Sequence, residues 1–201
     1  MEELTLSFED FSSFCYWTQK NQLFLQKKQK RKLYMKPLVS IIMGSTSDLP
    51  VMEKAAKFFE EMEIPFEINA LSAHRTPAEV EVFAKGAQGK GIKVIIAGAG
   101  MAAHLPGVMA SMTPIPVIGV PIKASLDGLD ALLAIVQMPP GIPVATVGIN
   151  GALNAAILAS QMMATGNEEL MKKNIAYKEN LKQKIVKANE ELSKLNYKFK
   201  V

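Results

Sequence analysis

A chain of 201 residues suffices for one ordinary domain with its own core, and 49% hydrophobic with 21% charged residues is a globular composition, not a disordered one. The net charge of +4 is poor evidence for nucleic-acid binding, because residues 20–36 gather Lys20, Lys27, Lys28, Lys30, Arg31, Lys32 and Lys36 with no acid and the remainder is roughly balanced. Cys15 is the sole cysteine, which excludes an intramolecular disulfide or thiolate metal site and suits a reducing, cytoplasmic compartment.

Residues 1–36 differ in texture from everything after them. They mix Phe8, Phe11, Phe14, Tyr16, Trp17 and Phe24 with a Gln/Lys tract and contain neither Gly nor Pro. A helix over residues 11–25 is conceivable, and so is an arm for DNA or membrane. The reading adopted is an N-terminal extension, non-native or flexible, with Met35 as the native start. The acidic opening Glu2-Glu3 lacks the apolar core of a secretory signal. No apolar run reaches the ~18 residues of a membrane span.

From Pro37 to residue 201 a single α/β domain is expected. Val39–Met43 is a short β-branched apolar run ending at Gly44, a buried strand. Asp48 and Pro50 open a helix over Leu49–Met62. Phe66–Ala70 is the second strand, and Thr76-Pro77-Ala78-Glu79 reads as a capping box that starts the next helix. Val94–Ala97 is followed by a small-residue helix from about Ala102 to Met112. Val117–Val120 precedes a helix over Leu126–Met138. Val144–Val147 precedes an Ala-rich helix over Leu153–Thr165. The chain finishes in a long, charged amphipathic helix over Asn167–Leu195. Short, continuously apolar strands alternating with helices predict a three-layer α/β/α sandwich with a flavodoxin-like parallel sheet. Ligands in such sheets bind beyond the carboxyl ends of the strands.

Three strand ends carry chemistry. The first continues Gly44-Ser45-Thr46-Ser47-Asp48 into a helix, an arrangement that can bind an anion at a helix N-terminus or can simply cap that helix. It is neither a Walker A loop nor a GxGxxG fingerprint. The second reads Ser72-Ala73-His74-Arg75-Thr76-Pro77: the guanidinium suits phosphate and the imidazole can exchange protons near neutrality. The third reads Ala97-Gly98-Ala99-Gly100-Met101-Ala102-Ala103-His104-Leu105-Pro106-Gly107. Its small residues permit close approach of a ligand to the backbone, or close packing of a helix on the sheet. The chain's two histidines, His74 and His104, both fall at these ends, which favours catalysis without naming the reaction.

These three motifs, with Met43 leading the first and with Gln137-Met138-Pro139-Pro140-Gly141-Ile142-Pro143-Val144 further on, stand in an order that resembles the class I N5-carboxyaminoimidazole ribonucleotide mutases of purine biosynthesis, the PurE family. The resemblance runs from about Pro37 onward. It implies a homo-octamer that converts N5-carboxyaminoimidazole ribonucleotide to 4-carboxy-5-aminoimidazole ribonucleotide with no cofactor and no metal. It implies His74 as the catalytic acid/base. It implies Ser45, Ser47, Asp48, Ser72, Ala73, Arg75, Gly98, Ala99, His104 and Leu105 as the substrate-binding set. A small-molecule ribonucleotide is the implied partner, handed over by the ATP-dependent synthase that makes it. Neither nucleic acid nor membrane is implied. Related class II enzymes carboxylate aminoimidazole ribonucleotide with CO2, and typically have Lys after the loop His and a loop like Ala-Gly-Arg-Ser-Asn-Ala. Here Arg75 and the segment Ala99–His104 fit class I. A class II carboxylase and a non-catalytic nucleotide-binding module are the alternatives.

Overall fold

Residues 35–201 are described in a computed structural model; the helix considered over residues 11–25 and the N-terminal extension up to residue 34 lie outside them. Five strands are found among the described residues: β1 (Val39–Met43), β2 (Phe66–Ala70), β3 (Val94–Gly100), β4 (Val117–Ile122) and β5 (Ala145–Thr146). All pair in parallel, in the order β2-β1-β3-β4-β5. That is the flavodoxin-like order, with its switch point between β1 and β3.

The continuous apolarity of the strands follows from burial on both faces. Successive side chains of a strand point to opposite sides. Ile41 and Ile96 accordingly join one core with Met52 and Phe59 of α1 (Leu49–Glu61) and with α5 (Ala152–Ala164). Ile42, Ile95 and Ala97 join the other core. That core includes Val80 and Phe83 of α2 (Pro77–Lys90), Met109 of α3 (Leu105–Met112), and Ala131 and Ile135 of α4 (Leu129–Val136). In α5, Ala152, Ala155, Ala156 and Ala159 are completely buried. Their i, i+3, i+4, i+7 spacing makes one helix face smooth enough to lie close to α1 and the sheet.

The last helix, α6 (Glu168–Ser193), is capped by Asn167, whose side chain accepts from the Leu170 N–H at 3.0 Å. It is anchored only at its start, where Leu170 and Asn174 are buried and Tyr177 packs edge-on against Phe58. Of its predicted apolar stripe, Leu170 faces the domain's own core, whereas Ile175, Leu181 and Ile185 are exposed.

Three expected element starts shift. The helix expected from Ala102 begins at Leu105. Met101 is in the left-handed region (φ 56°), and a tight turn brings the His104 N–H to the Ala102 carbonyl. The helix expected from Leu126 begins at Leu129 and ends at Val136, because Leu126, Asp127 and Gly128 all have positive φ. The fifth strand shrinks to the two residues that pair with Ile118 and Gly119 of β4.

Candidate active site

The carboxyl ends of β1 to β4 enclose a cavity of about 490 Å³. Its wall after β1 is Gly44, Ser45, Ser47 and Asp48. After β2 it is Ser72, Ala73, His74 and Arg75. Ala99, Gly100, Met101, Ala102 and Leu105 follow from β3 and α3, and Ile122, Lys123 and Ala124 from the end of β4.

The loop after β1 is a short 3-10 turn (Thr46–Asp48) ahead of α1. Ser45 caps that turn, its hydroxyl accepting the Ser47 N–H at 3.3 Å, and the Ser47 hydroxyl donates to Asp48 Oδ1 at 3.3 Å. Asp48 therefore does not cap α1 with its side chain, as the sequence suggested, and its carboxylate stays with the cavity. Burial holds that carboxyl above its ordinary range, against the Ser47 hydroxyl, the Ser45 backbone and the charge of Arg75, which all act to lower it.

The loop after β2 is tied to itself. The Thr76 hydroxyl accepts from the Ser72 N–H at 2.9 Å and donates to the Ser72 carbonyl at 3.2 Å. The expected capping box is not made, because this hydroxyl is spent on the loop and makes no bond to the helix. Ser72 Oγ in turn accepts from the Arg75 backbone N–H and from Arg75 Nε, both at 3.3 Å, and Arg75 Nη2 donates to the Gly44 carbonyl. These contacts aim the guanidinium from β2 toward the end of β1 and fix its plane.

His74 reaches the other way. Its Nε2 lies 2.8 Å from His104 Nδ1, with the rings edge to face at 4.9 Å between centroids. One of the facing nitrogens carries the hydrogen and the other accepts it. The outer nitrogen of each ring thus depends on its partner's tautomer. Both imidazoles are exposed in the single chain.

Of the residues singled out from sequence, Ser45, Ser47, Asp48, Ser72, Ala73, His74, Arg75, Ala99 and Leu105 line the cavity. His104 stands behind His74, joined by the ring contact. Gly98 does not line it: a Cβ there would meet Met52 Sδ at 2.6 Å, so its glycine serves the packing of α1 on the sheet. Lys123 was missed. The strand-end rule applies to β4 as it does to β1, β2 and β3, and Pro121-Ile122-Lys123 could have been found by it. Among the described residues no cluster of His, Cys, Asp and Glu could hold a metal ion, and no helix is long and apolar enough to cross a membrane.

This arrangement, a guanidinium and two serines beside a paired imidazole, suits a phosphorylated substrate and proton transfer. Comparisons with known proteins agree on its kind. The N5-carboxyaminoimidazole ribonucleotide mutase of Pyrococcus abyssi is 59% identical over 148 residues, which are 73% of this chain and 85% of that protein. The enzyme of the same name from Thermotoga maritima is 54% identical over 81% of this chain and 95% of its own length. The phosphoribosylaminoimidazole carboxylase of Candida glabrata is 53% identical over 81% of this chain, which spans only 29% of that longer protein. Among solved structures, Treponema denticola PurE superposes with a TM-score of 0.71 at 31% identity, covering 78% of this chain and 98% of that one. The AIR carboxylase pattern matches residues 38–184, and the chain belongs to that family.

Proposed function

We propose that the chain is a mutase of purine biosynthesis that converts N5-carboxyaminoimidazole ribonucleotide to 4-carboxy-5-aminoimidazole ribonucleotide. The observation that carries this reading is the imidazole pair of His74 and His104 beside the cavity walled by Ser45, Asp48 and Arg75. The relatives that share most of their own length with this chain are named as mutases, and the carboxylase relatives are much longer proteins.

The chemistry makes three demands. The carbamate N–C bond breaks, its electron pair returns to the exocyclic nitrogen, and a donor supplies the proton taken up there. CO2 stays beside the ring while the ring carbon attacks it. A base then removes the proton from that carbon. His74 protonated at the start meets the first and third demands in turn, so no net proton is consumed. His104 holds the imidazole of His74 in place by the 2.8 Å bond. Arg75, Ser45 and Ser47 take the phosphate, and the Asp48 carboxylate accepts ribose hydroxyls. The small side chains of Ala99, Gly100 and Ala102 let the ring and CO2 be held closely, and such confinement is worth up to about 7–11 kcal/mol of effective concentration.

Supplying purified protein with either N5-carboxyaminoimidazole ribonucleotide or aminoimidazole ribonucleotide plus bicarbonate tests the assignment. Turnover of the first at far lower carbon supply is expected. Preference for the second would make the enzyme a class II carboxylase, and binding without turnover would make it a non-catalytic module.

The working assembly is proposed to be a homo-octamer. Leu129, Leu133 and Val136 of α4 and Ile175, Leu181 and Ile185 of α6 are exposed, and apolar faces of this kind favour association. Residues 37–201 are proposed as the catalytic domain and residues 1–36 as a dispensable extension. A cytoplasmic location, readable by cell fractionation, fits the metabolite substrate. Direct receipt of that substrate from the ATP-dependent synthase is testable by coupled kinetics with a trapping excess of inactive mutase.

A further inference from the structure

We propose that Lys123 is a second anion-recognition residue of the cavity, and that its ammonium binds the carboxyl group of the ribonucleotide while Arg75 serves the phosphate. The inference rests on the mutase reading, because only a carboxylated ribonucleotide carries two anions at its two ends.

The cavity wall holds two basic side chains, Arg75 and Lys123, and one acidic side chain, Asp48. The two cations stand on different strand ends. Arg75 is bonded to the Gly44 carbonyl, at the end of β1. β4, which delivers Lys123, lies two places along from β1 in the sheet, or about 10 Å at the ordinary strand spacing. A ribose ring separates a 5′-phosphate from the substituents of its base by a span of that order. His74 comes from the end of β2 beside Arg75, but its ring reaches His104 in the loop after β3, the strand that lies between β1 and β4. A substrate with its phosphate at Arg75 and its ring at His74 therefore points its carboxyl group toward the end of β4.

Lys123 is held firmly in its backbone and only by an exposed ion pair in its side chain. Its N–H donates to Asn150 Oδ1 at 3.0 Å, and the Asn150 N–H donates to the Pro121 carbonyl at 2.8 Å. Gly128 (φ 88°) closes the turn so near that a Cβ there would meet Lys123 Cα at 3.1 Å. The ammonium itself is paired with Asp127 Oδ1 at 2.8 Å, but the two side chains are 57% and 88% exposed. An ion pair that exposed contributes little, so exchanging Asp127 for a substrate carboxylate inside the cavity is easy.

The test compares two ligands that differ only in the carboxyl group. Affinities of 4-carboxy-5-aminoimidazole ribonucleotide and of 5-aminoimidazole ribonucleotide are measured by titration calorimetry on the full chain, wild type, Lys123→Met and Lys123→Arg. Lys123→Met is expected to weaken the carboxylated ligand ~10-fold or more, as befits a lost charged hydrogen bond, and to leave the uncarboxylated one nearly unchanged. Lys123→Arg is expected to recover most of the loss. Equal weakening of both ligands would place Lys123 at the phosphate or ribose and overturn the proposal, as would no weakening of either. If the wild-type protein neither binds nor converts the carboxylated ribonucleotide, it is the mutase reading that fails.

Discussion

The 2.8 Å contact between His74 and His104 changes how each should respond to substitution. Asn keeps hydrogen-bonding capacity but cannot titrate. His74→Asn is therefore expected to bind ribonucleotide and to lose ~10²–10⁴-fold in single-turnover rate, the range for loss of a general acid/base. His104→Asn can still hold the His74 ring and should be the milder lesion; the reverse order would assign the proton to His104. Asp48 provides a second residue-scale test. Its carboxyl is raised by burial, so the folded state holds that proton more tightly than the unfolded chain does. Stability is then lost as pH rises through the window from the ordinary carboxylate value of 3.8 to the raised one. Asp48→Asn should raise the melting temperature at pH 7, do so less at the acid end of that window, and weaken ribonucleotide binding. An unchanged or lowered melting temperature at pH 7 would show that burial does not dominate there. The sequence made His74, Arg75, Ser45 and Asp48 legible because they follow strands in recognisable loops. The imidazole contact was not legible, since it depends on two side-chain directions across a loop pair. Lys123 was legible through its place after β4 and was overlooked because no motif surrounds it.

At the scale of elements, apolar runs and helix punctuation located all five strands and six helices of the described residues to within a few positions. What they missed was backbone handedness. Nothing in Leu126-Asp127 announces a left-handed pair ahead of Gly128, and the Thr76 and Asp48 side chains had alternatives to capping that only the fold selects. Glycine in a strand was similarly ambiguous between ligand approach and packing. Gly119, in the middle of β4, illustrates the packing case: a Cβ there would lie 2.3 Å from Ile135 Cγ2 and 3.1 Å from Val144 Cγ1. Its absence lets α4 settle on the sheet beside the end of β4. Gly119→Ala should cost about 1–3 kcal/mol through overpacking, read as a lower urea midpoint at unchanged slope. No loss would mean that α4 shifts freely, which the completely buried Ile135 argues against.

At the scale of the molecule, the site and the surface make the same point. His74 and His104 are exposed in a single chain, yet a reaction that holds CO2 beside a ring needs water kept out. In the proposed octamer, the exposed apolar residues of α4 and α6 are the surfaces expected to meet further copies and so to shield the site. A chain starting at Met35 is expected to scatter light as an octamer at micromolar concentration and to turn over normally. A monomer, or a loss of activity in that truncation, would count against the proposed assembly or the dispensability of residues 1–34. The central claim is that the carboxyl group moves within one closed site and never joins the solution pool. It is tested most directly with N5-carboxyaminoimidazole ribonucleotide labelled with 13C in its carboxyl carbon, converted in unlabelled bicarbonate. Mass spectrometry of the 4-carboxy product should find the label retained. Product carrying the isotope ratio of the medium would mean that CO2 leaves and returns, and would contradict the account.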